Sequence, residues 1–158
     1  MKPAVINGII PPMISPLTGR SELDTDALYR IVEHMAAGKV NGIFLLGSTG
    51  EWANLPSETR NRLLIHGIRA VNGRFPVFVN ITDTAISEVL RKAAEAEGAG
   101  ARYAVIAPPF YYDMTQSELM RFFELAAEGT GYPACGEPSN GMQRRGVRGC
   151  KPVSPPVY

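Results

Sequence analysis

The sequence predicts an α/β protein: the N-terminal half of a TIM (β/α)8 barrel, made of four βα units and followed by an irregular tail. Short apolar runs alternate with amphipathic helical patterns four times, which implies parallel strands joined by right-handed crossovers. The apolar runs are continuous, as in strands buried on both faces. The alternative, a doubly wound nucleotide-binding sheet, would carry Gly-x-Gly-x-x-Gly after its first strand, where this chain has prolines. These observations favour the barrel.

Local signals bound the predicted elements. The strands share an uninterrupted apolar character and comprise residues 4–10, 42–46, 75–79 and 103–107. The helices carry apolar residues at spacings of three and four and comprise residues 22–37, 56–71, 84–96 and 115–126. Pro11-Pro12 and Pro108-Pro109 end the first and fourth strands, because proline cannot donate to a strand ladder.

Hydroxyl residues mark the starts of the last two helices. Thr84 or Ser87 is expected to begin the third helix. Thr115 and Glu118 have the spacing of a capping box, in which each side chain bonds the backbone amide of the other residue. The fourth helix should therefore begin directly after Thr115.

The chain changes character near residue 131. Residues 132–158 hold 4 basic and 1 acidic side chains, both cysteines and 5 of the 13 prolines, with no Leu, Ile or Phe. Such a segment cannot bury a core. A complete barrel takes about 250 residues, so a body of 131 residues amounts to half of one. We expect a partial barrel over residues 1–131 and an irregular tail over residues 132–158.

The overall composition excludes several classes of partner. The net charge of +1 provides no basic field for nucleic acid or an anionic membrane. No apolar run approaches the roughly 18 residues of a membrane-spanning helix, and the start lacks a secretory pattern, so a cytoplasmic location is expected. Cys135 and Cys150 are accompanied by neither a secretory signal nor a second pair of metal ligands. We therefore expect free thiols, and neither a disulfide framework nor a zinc site.

The loop after the second strand is a candidate ligand-binding loop. Gly47 and Gly50 bracket Ser48 and Thr49, at the carboxyl end of a strand, where barrel sites lie. Glycines let backbone amides approach a ligand and the hydroxyls add donors, so the loop suits a carboxylate or a phosphate. It is not a Walker loop, because no lysine follows the second glycine. The alternative is a tight turn that merely uses glycines.

Aromatic residues follow the fourth strand. Tyr111 and Tyr112 carry phenols that can relay protons or bind an oxyanion, but aromatics beside Pro-Pro also close barrel mouths and contact other subunits. Phe110 is expected to have a structural use. Trp52 and Asn54 follow the glycine loop and are candidates to line the mouth of the barrel. For Trp52 the alternative is packing against other side chains.

Four segments together resemble a known family. In order, GIIPPMISPL, NGIFLLGSTGE, FPVFVNITDT and GARYAVIAPPFYY are similar to the dihydrodipicolinate synthase and N-acetylneuraminate lyase family of pyruvate-dependent class I aldolases, over about residues 5–133. The resemblance implies a (β/α)8 barrel assembled as a tetramer or dimer. It also implies a carbon–carbon lyase whose lysine forms a Schiff base with pyruvate or another α-keto acid, with no metal or organic cofactor.

The resemblance also implies roles for individual residues. Ser48 and Thr49 resemble the pair that binds the pyruvate carboxylate, with Gly47 and Gly50 allowing close backbone approach. Thr49 also falls in the family's proton relay. Tyr112 resembles the tyrosine that reaches into the neighbouring subunit's site.

Two family features are not found downstream of these motifs. After residues 131–133 the chain lacks the tyrosine expected in a Tyr-Asn-x-Pro fifth strand and the Schiff-base lysine expected on the sixth. Lys151 has no strand around it and is not assigned that role. Out-of-frame translation would explain the composition of the tail, and a native truncated isoform is the competing account. The function hypotheses are thus an aldolase or lyase that is active in its complete form, or a non-catalytic half-barrel that at most self-associates.

Overall fold

A computed structural model describes residues 7–132 and the backbone of residues 135–136. The strands are β1 (Ile43–Leu45), β2 (Val77–Asn80), β3 (Tyr103–Ile106) and β4 (Cys135–Gly136). The α-helices are α1 (Thr25–Ala37), α2 (Ser57–Val71), α3 (Ile86–Ala99) and α4 (Gln116–Thr130). Two 3₁₀ turns, Ser48–Gly50 and Trp52–Asn54, lie between β1 and α2.

The four strands form one parallel sheet in the order β1-β2-β3-β4. Phe44 of β1 pairs with Phe78 of β2, and Phe78 pairs with Tyr103 of β3. A helix connects each strand to the next. The strand order advances without reversing, whereas a doubly wound sheet reverses at its switch point. The predicted α/β class with parallel strands is confirmed.

The predicted first strand, residues 4–10, has different bounds. Residues 7–10 are not in a strand, and earlier residues lie outside the described chain. The chain instead pairs with β1 through a single parallel bridge between Pro12 and Phe44, and the Phe44 amide donates to the Pro11 carbonyl at 3.0 Å. The Met13 amide donates back to the Phe44 carbonyl at 2.8 Å, but Pro11 has no N–H with which to continue the ladder. We call residues 9–13 the edge segment.

The helices cover one face of the sheet and form the core with it. The fully buried side chains include Leu28 of α1, Ile43 and Leu45 of β1, Leu63 of α2 and Val89 of α3. Each such side chain stabilises the fold by about 1.5–3 kcal/mol relative to exposure. No helix in the described part of the chain has both the length and the apolar character that crossing a membrane requires.

The capping box at α4 is confirmed. The Thr115 amide donates to Oε2 of Glu118 at 2.7 Å, and the Glu118 amide donates to Oγ1 of Thr115 at 3.3 Å. The bonds from the Thr115 amide and hydroxyl lower the pKa of the Glu118 carboxyl. Two helix amides that lack intrahelical partners are thereby satisfied.

The start of α3 differs from the prediction. Its N-cap is Ala85, which offers no capping side chain, rather than Thr84 or Ser87. The carboxylate of Asp83 lies just upstream and accepts from the amides of Thr84 at 2.7 Å and Ala85 at 3.3 Å. An acidic residue therefore fixes the turn that leads into α3, and no side chain caps the amides of the helix itself.

The sheet extends past the expected boundary at residue 131. The backbone of Cys135 pairs with Val105, and that of Gly136 with Ile106. Tyr132, the first residue of the expected tail, is half-buried against the core and donates to the Ala101 carbonyl at 3.3 Å. The rest of the segment 132–158 lies outside the described residues.

Two helical glycines give a test of the packing between α2 and β1. A Cβ on Gly67 would lie 2.7 Å from a methyl carbon of Leu45, which is fully buried and has little room to move. We expect Gly67→Ala to lower the free energy of unfolding by about 1–3 kcal/mol. Gly98 of α3 is exposed with open space around it, so Gly98→Ala should raise that free energy by about 0.5 kcal/mol. Urea denaturation measures both, and equal effects would contradict the close packing of α2 on β1.

Candidate active site

The glycine loop after β1 presents two hydroxyls at the carboxyl end of the sheet. Ser48–Gly50 forms a 3₁₀ turn, followed by Glu51 in the left-handed conformation with φ 51°. The side chains of Ser48 and Thr49 are exposed, while Gly50 is buried. The turn therefore holds both hydroxyls at the surface on a fixed backbone.

The edge segment and the residues after it hold this loop in place. The hydroxyl of Ser15 donates to the Gly50 carbonyl at 2.6 Å. A Cβ on Gly50 would lie 3.0 Å from the Met13 carbonyl oxygen, and one on Gly47 would lie 2.7 Å from the Phe44 ring. Both glycines are thus needed for close packing of the loop against its own chain, and the predicted approach of a ligand to them stays a prediction. Sequence reasoning missed Ser15, whose one signal is a hydroxyl beside proline in the loop after the first strand.

A second missed residue, Thr82, joins the carboxyl ends of β2 and β3. Its side chain is 2% exposed, donates to Oδ1 of Asn80 at 2.6 Å and accepts from the Ala107 amide at 2.8 Å. Ala107 immediately precedes Pro108-Pro109. The buried hydroxyl therefore fixes the point from which the aromatic loop departs.

The aromatic loop after β3 divides into a packed part and an exposed part. The Phe110 ring meets the Trp52 ring edge-on, with centroids 5.6 Å apart, which joins this loop to the turn after β1. Tyr111 and Tyr112 are 83% and 73% exposed and meet edge-on at 4.8 Å. Tyr111 has φ 87°, a strained conformation for a bulky residue and one that concentrates at functional sites.

The predicted site residues lie at one end of the sheet, but not all of them are in contact with one another. Ser48, Thr49, Tyr111 and Tyr112 lie in the loops that follow β1 and β3. Within residues 7–132, no hydrogen bond joins Thr49 to Tyr112. Their connection runs instead through the Trp52–Phe110 contact.

Lys92 of α3 supports the same region from outside the sheet. Its ammonium donates to the Thr82 carbonyl at 2.8 Å and to Oδ2 of Asp83 at 2.7 Å, and it lies 5.1 Å from the centre of the Trp52 ring. Burial raises the pKa of Asp83, but the bonds from Lys92, Ala85 and Thr84 outweigh it and the pKa is lowered. Lys92 is therefore a charged, engaged structural group, which sequence reasoning also missed.

A cavity with a volume of about 380 Å³ lies between α2 and α3. Its lining includes Trp52, Arg60, Asn61, Arg91 and Lys92. The exposed hydroxyls of Ser48 and Thr49 are not among the lining residues. The two hydroxyls are therefore outside this cavity, although Leu46 and Trp52 on either side of the loop line it.

Comparison with known proteins relates the chain to one family. The model of the dihydrodipicolinate synthetase family matches residues 5–135. An uncharacterized DapA-like lyase from Thermococcus onnurineus is 33% identical over 128 residues, which are 81% of this chain and 43% of the relative.

Two solved structures share both sequence and fold. YagE, a prophage protein of the dihydrodipicolinic acid synthase family from Escherichia coli K12 in complex with pyruvate, is 31% identical with a TM-score of 0.78, over 82% of this chain and 44% of that one. Dihydrodipicolinate synthase from Bacteroides thetaiotaomicron is 39% identical with a TM-score of 0.77, over 81% and 43%. The chain spans less than half the length of these relatives, and its fold is the N-terminal part of theirs.

The Lys92–Asp83 pair is expected to make stability depend on pH. Asp83→Asn leaves a largely buried ammonium without its counter-charge, and should cost about 1–2 kcal/mol at neutral pH. Because the folded-state pKa of Asp83 is lowered, its contribution is complete above the unfolded value of about 3.9 and is lost as pH falls through the folded value. Urea denaturation at neutral pH and below the carboxyl pKa measures the difference.

The matched control for this pair is Glu95→Gln. Glu95 pairs with Arg91 on the same helix, but both side chains are exposed, so solvent screens the pair and little change is expected. An Asp83→Asn loss that is no larger than the control, or that does not shrink at acid pH, would contradict the assignment.

Proposed function

This chain belongs to the dihydrodipicolinate synthetase family, and on that premise we propose that it is the N-terminal half of a pyruvate-dependent aldolase or lyase. The complete protein would make or cleave a carbon–carbon bond through a Schiff base with pyruvate or another α-keto acid. The single observation that carries the proposal is the exposed, anchored Ser48–Thr49 pair at the carboxyl end of a parallel sheet.

The glycine loop is proposed to bind the substrate carboxylate. Backbone amides and the exposed hydroxyls of Ser48 and Thr49 offer donors to an anion. Gly47 and Gly50 let the turn pack closely on Phe44 and Met13, which holds these donors in place. The bond from Ser15 holds the loop in one conformation, which lowers the entropy cost of binding. The related YagE structure contains pyruvate, the ligand of this chemistry.

The covalent step needs an amine that attacks the keto carbon and expels water. The resulting iminium is an electron sink: loss of a proton from the adjacent carbon gives an enamine, which adds to an aldehyde, and the reverse path cleaves the bond. Thr49 and Tyr112 would carry protons during these steps, while the carboxylate clamp orients the substrate. We propose that the lysine comes from a longer parent, and that the sequence becomes an out-of-frame tail after the family match ends at residue 135.

The exposed tyrosines support the proposal that the complete protein assembles as a homo-oligomer, a dimer or tetramer. Both phenols project from the aromatic loop with little contact to their own subunit beyond each other. Tyr112 is proposed to reach the neighbouring subunit's site. The strained backbone of Tyr111 makes it the second candidate for that role.

Borohydride trapping with pyruvate, followed by intact mass, tests for the nucleophile. We expect no adduct on the 158-residue chain, because Lys92 is held by Asp83 and the sequence around Lys151 lacks the apolar pattern of a strand. A full-length dihydrodipicolinate synthase is the positive control. A single adduct mapped to Lys151 would show that the tail is authentic and would overturn the out-of-frame proposal. An adduct on another lysine of this chain would overturn the proposal that the nucleophile comes from a longer parent.

Fluorescence of Trp52 tests the carboxylate loop independently of catalysis. Trp52 is the only tryptophan in the sequence and follows the loop directly, so pyruvate binding should change its emission. Thr49→Val should weaken binding about tenfold, because a donor to a charged oxygen is lost. Thr130→Val, the same exchange at the C-terminal end of α4 and away from the proposed site, serves as the control and should leave binding unchanged. Equal binding by the Thr49 variant would remove the loop from the proposed site.

A further inference from the structure

The sequence contains four Asn-Gly pairs, at residues 7–8, 41–42, 72–73 and 140–141. In such a pair the glycine nitrogen can attack the asparagine carboxamide, because no Cβ obstructs the approach. The folded structure selects among the pairs, since the attack requires an exposed side chain, an amide without a partner and room to rotate.

The pair at residues 72–73 meets these requirements. Asn72 follows α2 in the left-handed conformation, with φ 49° and ψ 45°, and is exposed. Gly73 has φ 70°, and no atom lies within 4 Å of the position of a Cβ on it. Within residues 7–132, neither the Asn72 side chain nor the Gly73 amide has a hydrogen-bond partner.

The pair at residues 41–42 has the same chemistry, but hydrogen bonds and packing fix its conformation. Oδ1 of Asn41 accepts from the Ile9 amide at 2.9 Å, and the Asn41 amide donates to the Ile9 carbonyl at 2.8 Å. Gly42 is buried, and a Cβ on it would lie 3.0 Å from both the Phe78 ring and the Pro76 carbonyl oxygen. Rotation of this peptide would disrupt the pairing of the edge segment, so Asn41 is a matched internal control.

We propose that Asn72 is a site of spontaneous deamidation in the folded protein. The Gly73 nitrogen bonds to Cγ of Asn72, the Cγ–Nδ2 bond breaks, and ammonia leaves with the proton of the amide. Water then opens the resulting succinimide at either carbonyl and yields aspartate or isoaspartate. The net exchange of ammonia for water requires no further reactant.

The modification introduces a negative charge at the turn between α2 and β2. A carboxylate at residue 72 lies at the negative end of the α2 dipole. The neighbouring Arg74 donates to the carbonyls of Ala70 and Val71 and forms a bidentate pair with Glu33 of α1. Isoaspartate also lengthens the backbone between α2 and β2 by one methylene. We expect the modified chain to melt at a lower temperature.

The test is incubation of the folded 158-residue chain at mildly alkaline pH, followed by tryptic mass mapping. Cleavage after arginine and lysine places the four pairs in separate peptides, with Asn72 in residues 70–74. We expect the mass gain of about 1 Da to accumulate at least about tenfold faster at Asn72 than at Asn41. In urea, where the protection of Asn41 is lost, the two rates should converge.

Two variants complete the design. Asn72→Gln, which closes the succinimide ring far less readily, should abolish the gain in residues 70–74 and leave the other peptides unchanged. Asn72→Asp should melt below the unmodified chain. A rate at Asn72 equal to that at Asn41 in the folded chain, or a ratio unchanged by urea, would overturn the proposal.

Discussion

The parallel pairing of β1, β2 and β3 is the constraint on which the rest of the structure depends. Because the strands run in one direction, each connection must return across a face of the sheet, and the helices supply that return. All the carboxyl ends then lie along one edge. The glycine loop after β1, the Thr82 turn after β2 and the aromatic loop after β3 become neighbours there, although more than thirty residues separate Thr49 from Thr82.

A few polar contacts hold those loops in a defined arrangement. Ser15 fixes the glycine loop through the Gly50 carbonyl, and Thr82 fixes the base of the aromatic loop through the Ala107 amide. Lys92 links the β2 loop to Trp52. Each contact is made by a side chain that is not itself proposed to touch substrate. Loops that carry exposed hydroxyls and phenols need such support, because their own apolar burial is small.

Much of the fold could be predicted because its signals are local. The helical spacing of apolar residues located α1, α2 and α4, the continuous apolar runs located β1 to β3, and the capping box at Thr115 was confirmed. The predictions for the first strand and for the α3 cap differed in position. Pro11, which has no N–H to donate, limits the edge segment to a single bridge, and the carboxylate of Asp83 accepts from the Thr84 and Ala85 amides just before α3. Both outcomes depend on partners that a one-dimensional pattern does not contain.

By itself, the sequence determined the alternation of strands and helices, the family resemblance and the position of the glycine loop, because periodicity and motif spacing are properties of neighbouring residues. Only the tertiary structure decided the roles of Ser15, Thr82 and Lys92, since their partners are 35, 25 and 10 residues away in the chain. It also distinguished Asn72 from Asn41, whose local sequences are alike. The reactivity of an asparagine and the ability of a side chain to hold a loop both depend on burial and on hydrogen-bond partners. These exist only after distant segments have been brought together.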